Sequence, residues 1–265
     1  MISSLGFGLT FKDGKQVYED KISSYEKNYV PNALSGYQIE NKYLNLSYPP
    51  HEPNVVRDKY WFGWFWNAQD FNNDGHMDYL YTGTMNPNNV EITGEDTGGI
   101  CGGERCKGEM PGPTLFLGTK EGSFILKSDL FIDNRELPGQ SSSRQNLVAD
   151  FNKDGVLDLF IADHAVGTHK GIRDSYFLSQ KNGTWLESSE THLSKPNYMI
   201  FDHGGAVGDI DNDGDMDIVL TELKNQITCW INDGFGKMKF RVCGNVNAFG
   251  IELGDMDGDG YGDNP

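Results

Sequence analysis

DIDNDGDMD, residues 209–217, places five carboxylates in nine positions with no basic residue among them. Two carboxylates about 5 Å apart repel by roughly 3 kcal/mol at an effective dielectric of about 20, so a fold that draws several together needs an opposing charge. The stretch recurs as DFNNDGHMD from Asp70, DFNKDGVLD from Asp150 and DMDGDGYGD from Asp255. All four fit D-x-[DN]-x-D-G-x-x-D. Positions 1, 3, 5 and 9 carry side-chain oxygens, position 6 is glycine, and position 7 can offer its carbonyl. This is an oxygen cage for a hard cation, with the glycine allowing the sharp turn that makes the oxygens converge. Calcium suits it better than magnesium, which demands a tighter octahedron and keeps its waters. Asp-Gly and Asn-Gly also favour hairpin turns. Four matches at five positions are more than turn chemistry alone requires.

The loops are not EF-hands. Those need Glu at position 12 between two helices, whereas position 12 here is Tyr81, Ile161 and Leu220. Each of these loops runs into a β-type segment, MDYLYTG, LDLFIAD or MDIVLTE, rich in branched and aromatic residues and only as long as a strand. A second pair of strands around a turn comes next: TLFLGT/FILKS, SYFLSQ/TWLES and ITCWIND/KMKF. Each complete unit therefore has four strands, with the aspartate loop between the first two. Four-stranded antiparallel units repeated around an axis are the blades of a β-propeller, so the predicted fold is all-β. The run WFGWFW, residues 61–66, is apolar on both faces under strict alternation, as expected of a strand sandwiched between blades. The other reading is an aromatic platform for sugar rings.

Composition agrees. The chain of 265 residues carries 22 basic and 39 acidic residues, a net charge of −17, which argues against nucleic acid or an anionic membrane as partner. Fifteen of the 39 acids sit in the four loops, so the acidity is local. No apolar run reaches the length of a membrane span, and the opening MISSLGFGLTF has neither a basic n-region nor an adequate h-region. Four cysteines allow three connectivities; Cys101 with Cys106 and Cys229 with Cys243 are the local ones, two free thiol pairs being the alternative.

The Phe-Gly entry and Asp-rich loop of FGIELGDMDGDGYGD, residues 249–263, with GGAVGDIDNDGDMDIVL from Gly204, resemble the FG-GAP or VCBS repeat family, which includes the calcium-binding propeller of integrin α-subunits. The resemblance runs from about Trp61 to the end. It implies calcium held by Asp70, Asn72, Asp74 and Asp78; by Asp150, Asn152, Asp154 and Asp158; by Asp209, Asp211, Asp213 and Asp217; and by Asp255, Asp257, Asp259 and Asp263. The seventh-position carbonyls of His76, Val156, Asp215 and Tyr261 complete the sets. Up to four ions are implied. The eighth position is an apolar plug in the family, as with Met77, Leu157 and Met216, but the fourth copy has Gly262 and lacks its following strand.

Family propellers commonly have seven blades. This chain shows three, at about 61–131, 143–189 and 203–243, and the start of another at 248–265. An N-terminal segment, 1–60, carries LGFGLTFKDGKQVYED, which reads as two strands of a preceding blade, and LNLSY, a further strand candidate. Remaining blades or a partner are expected to cover the open edges. The longer connections, 85–111, 132–143, 164–173 and 190–201, should gather on the rim opposite the aspartate loops, where recognition usually resides. The expected function is an extracellular, cell-surface or periplasmic binding module for a protein or glycan. The rival is a carbohydrate-active enzyme of lyase or dehydratase type on the same scaffold, with Asp163, His164, His169 and Arg173 as rim candidates. A structural segment of a large adhesin is the third reading.

Overall fold

A computed structural model describes residues 11–12, 15–16, 29–30, 38–39, 60–85, 91–92, 106–107, 110–136, 138–140, 142–164, 173–196, 202–222 and 226–253. The chain is nearly all β, in repeated antiparallel sheets. The first is built from β1 (Tyr60–Gln69), β2 (Asp78–Met85), β3 (Thr114–Gly118) and β4 (Phe124–Leu126), hydrogen-bonded in chain order. The second contains β5 (Phe131–Ile132), β6 (Ser143–Ala149), β7 (Asp158–Asp163), β8 (Ser175–Ser179) and β9 (Trp185–Glu187), followed by one helical turn, Ser189–His192. The third contains β10 (Asp202–Gly208), β11 (Asp217–Glu222), β12 (Gln226–Asn232) and β13 (Met238–Gly244). Each has the up-and-down order of a propeller blade. Among the described residues the sheets do not close into a ring. Short antiparallel pairs join Phe11–Lys12 to Lys15–Gln16 and Tyr29–Val30 to Gln38–Ile39 upstream, and Glu91–Ile92 to Cys106–Lys107 inside the long connection of the first blade. LNLSY lies outside the described residues.

Period-two alternation explains how the blades stack. On β7, Leu159 and Ile161 face a core shared with Phe71, Leu80 and Leu115 of the first blade; Phe160 and Ala162 face one shared with Ile218, Leu220 and Trp230 of the third. Strand β8 divides likewise, Phe177 to one side and Tyr176 and Leu178 to the other. A strand with both faces in a core must be apolar throughout, which is why LDLFIAD carries no alternation of polarity. Beyond the third blade, Ile251 and Leu253 pack over Val219, Cys229 and Ile231.

Two features depart from expectation. Strand β5 leaves the first blade and pairs in parallel with β9 at the outer edge of the second, Phe131 opposite Trp185 and Ile132 opposite Leu186. There Phe131 stacks on Trp185 at 5.2 Å and meets Phe177 edge-on at 5.2 Å. The second blade is therefore five-stranded. In β1 the pairing register shifts between Tyr60 and Phe62 and again between Phe62 and Phe65, so strict alternation of WFGWFW is broken. Of its tryptophans, Trp66 packs against Tyr79 at 5.9 Å, on the side of the core that includes Tyr81 and Phe116.

Phe177 is fully buried between the first two blades and Ile125 is half exposed on β4. Phe177→Ala is expected to lower unfolding free energy by about 3–5 kcal/mol, and Ile125→Ala by less than about 0.5 kcal/mol, as read from denaturant titration of both variants.

Candidate functional site

The three described aspartate loops join β1 to β2, β6 to β7 and β10 to β11, and they share one hydrogen-bond plan. The first-position carboxylate accepts from the N–H groups of positions 5 and 6: Asp70 from Asp74 and Gly75 at 3.1 and 2.8 Å, Asp150 from Asp154 and Gly155 at 3.0 and 2.8 Å, Asp209 from Asp213 and Gly214 at 3.1 and 2.8 Å. The fifth-position carboxylate accepts from the N–H of position 7 at 2.9 Å in all three. Position 4 is left-handed (Asn73 φ 58°, Lys153 φ 58°, Asn212 φ 61°) and so is the sixth-position glycine, Gly75, Gly155 or Gly214, at 85–88°. Two left-handed residues two apart coil the chain tightly enough to turn side chains 1, 3 and 5 toward one point.

The ninth-position aspartate closes the plan and ties the loop to its blade. Asp78, Asp158 and Asp217 are fully buried. One oxygen of each accepts the second-position N–H, from Phe71, Phe151 or Ile210 at 2.8–3.1 Å. The other accepts the N–H that ends the third strand, from Gly118, Ser179 or Asn232 at 2.7–2.8 Å. Gly118 is required by space, because a Cβ there would lie 2.3 Å from the Met77 carbonyl oxygen. Burial pushes each of these three carboxyls up to about 6, against the pull of the two N–H donors and with added push from loop carboxylates, such as Asp74 beside Asp78.

The donor chemistry fits a cation. In the third loop, oxygens of Asp209, Asp211 and Asp217 lie within 4.8 Å of one another. Oxygens on opposite sides of a calcium ion stand about 4.6–5.2 Å apart. The first two loops place Asn72 and Asn152 at the third position and hold three carboxylates each. The third is more acidic, and its neighbours answer it: Arg241 Nη2 stands 3.7 Å from Asp211 Oδ2, and Lys153 pairs with Asp215. The fourth loop, with Asp255, Asp257, Asp259, Tyr261 and Asp263, lies outside the described residues.

The plug sits elsewhere than the sequence suggests. Leu157 packs against the core of the first two blades, but Met77 and Met216 are 38% and 40% exposed. Second-position residues fill that role, Phe71 and Phe151 being fully buried and Ile210 packing against the third blade's outer core. Their signal was in the sequence as the apolar residue inside each polar loop.

At the other end of the strands, Asp163 and His164 are 1% and 9% exposed, facing the interior. Asp163 accepts the Ser142 N–H at 3.1 Å, and its own N–H donates to Asp174 at 2.9 Å. Asp174, Asp202 and Glu222 surround it, all nearly fully buried, the last two directly paired across β10 and β11. Burial raises the Asp174 and Asp202 carboxyls, with added push from the neighbouring Asp163 and Glu222 charges. His164 and His203 ring nitrogens meet at 3.0 Å. Burial, with the Arg144 charge, holds both imidazoles low, His164 down to about 4. Sequence reading missed Asp174, Asp202, His203 and Glu222, since a single acid at a strand end looks like an ordinary turn residue. Arg173 pairs with Glu190 at 2.8 Å, and His169 lies outside the described residues. Cys229 and Cys243 form a disulfide across β12 and β13, with Cα atoms 5.9 Å apart. Cys101 lies outside the described residues.

An FG-GAP-like repeat matches residues 70–161, 150–220 and 209–263. Each match begins on the first aspartate of a loop. Among curated proteins, none matches the chain.

The ninth-position carboxyls set a pH dependence. Their folded values, about 6, stand above the ordinary 3.8, so in a chelator their burial costs nothing below about pH 4 and costs progressively more as pH rises through 6. A bound cation removes that cost. The rise in melting temperature on adding calcium is expected to be larger at pH 7.5 than at pH 5, by differential scanning calorimetry; the depressed histidines contribute equally with and without metal and cancel from the difference.

Proposed function

Because the chain belongs to the FG-GAP-like repeat family, we propose that it is a calcium-stabilised propeller module that works outside the cytoplasm and binds a protein or glycan through the rim opposite its aspartate loops. The observation that carries this reading is the identical hydrogen-bond plan of three adjoining loops on one rim, each locked to its blade by a buried aspartate. Calcium there has a structural part. It neutralises carboxylates that repel by roughly 3 kcal/mol per close pair and holds the turn between the first two strands of each blade. Up to four ions are proposed, one per loop, on the residue sets named from the sequence.

The disulfide between Cys229 and Cys243 supports an oxidising compartment, either extracellular, at the cell surface or periplasmic. No helix among the described residues is long and apolar enough to cross a membrane. The longer connections, 85–111, 132–143, 164–173 and 190–201, supply the recognition surface on this reading. The enzymatic reading has less to stand on, since the carboxylate and imidazole of Asp163 and His164 are committed to interior contacts.

Chelation is expected to lower the melting temperature, and calcium more than magnesium to restore it; equal melting with and without chelator counts against the metal sites. On a glycan and protein array, calcium-loaded protein is expected to bind a ligand, and replacing residues 165–172 by a Gly-Ser linker to abolish binding while leaving the melting temperature unchanged. Binding that survives this replacement moves recognition away from that rim, and turnover of a bound sugar that His164→Ala removes favours the enzyme.

A further inference from the structure

We propose that the metal loops of adjoining blades are coupled: the fourth residue of each loop positions the carbonyl-bearing segment of the next, so that filling one loop favours filling its neighbour. This rests on the calcium reading above. In the first loop, Asn73 Nδ2 donates to the carbonyl oxygen of Gly155, at position 6 of the second loop. The N–H of that same peptide, on Val156, donates to Asp154 Oδ1 at 2.9 Å. The peptide is thus gripped at both ends, once by its own loop and once by the preceding one. Its plane sets the direction of the next carbonyl, on Val156, the seventh-position donor.

One blade later the arrangement returns with different chemistry. Lys153, at position 4 of the second loop, pairs with the carboxylate of Asp215, at position 7 of the third, and the Asp215 N–H donates to Asp213 Oδ1 at 2.9 Å. An amide in one case and an ammonium in the other reach the same segment, so the shared element is position and reach, not charge. Both bridging residues hold φ at 58°, a conformation that residues other than glycine adopt sparingly. Asn232 adds a second stitch: its amide donates to the carbonyls of Phe151, in the second loop, at 2.8 Å and of Met216, in the third, at 3.1 Å.

The coupling comes from where the bridging residues stand. Asn73 lies between Asn72 and Asp74, and Lys153 between Asn152 and Asp154, the third- and fifth-position donors of their own loops. A cation that draws those donors together also fixes the residue between them, and with it the partner segment one blade on. The second cation then meets a loop already ordered, and by linkage the effect runs equally in the other direction. Asn212, φ 61°, is the corresponding residue toward the fourth loop.

The test is terbium luminescence on the full chain, with terbium standing in for calcium. Trp185 donates its indole N–H to the Leu157 carbonyl, at position 8 of the second loop, at 2.7 Å and lies edge-on to Phe71, at position 2 of the first, at 6.5 Å. Its light therefore sensitises terbium in either loop, and the part of the signal that Asp150→Asn with Asp154→Asn removes is the second loop's. Asn73→Gly keeps the left-handed backbone and removes the bridging amide; it is expected to weaken the second loop by about 3- to 10-fold, the worth of one hydrogen bond. Disabling the first loop with Asp70→Asn and Asp74→Asn is expected to weaken it similarly in the native chain, and no further once Asn73 is glycine. Second-loop affinity unchanged within about twofold in both variants overturns the coupling alone. A native chain that takes up neither terbium nor calcium overturns the metal reading and the coupling together.

Discussion

A buried carboxylate with both oxygens given to backbone N–H groups underlies the whole arrangement. Asp78, Asp158 and Asp217 each join the start of a loop to the end of a third strand, seven residues back and 15 to 40 residues ahead. Such an anion is costly without nearby positive charge, and the described loops hold little: Lys153 and Arg241 reach the third. The loop therefore has a use for a cation before any ligand chemistry is considered. Backbone donors alone leave the ninth-position carboxyls raised, and a metal ion would let them ionise freely.

From that anchor the blades are built up. The loop fixes the turn between first and second strands, and the second strand, apolar on both faces, becomes the layer that two cores share. Its neighbours on either side are blades of the same construction, so each interface repeats with different side chains: Phe71, Leu80 and Phe177 in one, Phe160, Trp230 and Tyr176 in the next. Stability in such an array is a sum over units and the contacts between them. The loops and the cores are bonded together at the same boundaries, through Asn73, Lys153 and Asn232, so packing and electrostatics act at the same seams.

How much of this was legible depends on whether the cause was local. The aspartate spacing, the glycine at position 6 and the apolar run after each loop are short-range patterns, and the four-stranded antiparallel sheets derive from them. Strand β5 could not be read, because Phe131 and Ile132 look like the tail of the first blade and their partner, β9, lies some fifty residues on. The alternation expected of WFGWFW failed for a related reason: register shifts depend on the partner strand, which the run itself does not reveal. The carboxylate group of Asp163, Asp174, Asp202 and Glu222 is assembled from the ends of four different segments. Among the far-rim candidates, Asp163 and His164 were legible in the sequence but their burial was not, because it depends on Asp174, Asp202 and His203 from other segments.

The parallel pairing of β5 with β9 has a consequence for how the chain can be divided. Blade by blade, the natural cut would fall in the connection before Ser143, where one unit ends and the next begins. That cut would strip the second blade of its outermost strand and of Phe131, leaving an open sheet margin with Trp185 and Phe177 uncovered on one side. Structural module and sequence repeat are thus offset by about a dozen residues, and any excised or shuffled fragment should begin upstream of Phe131 to carry its own seal.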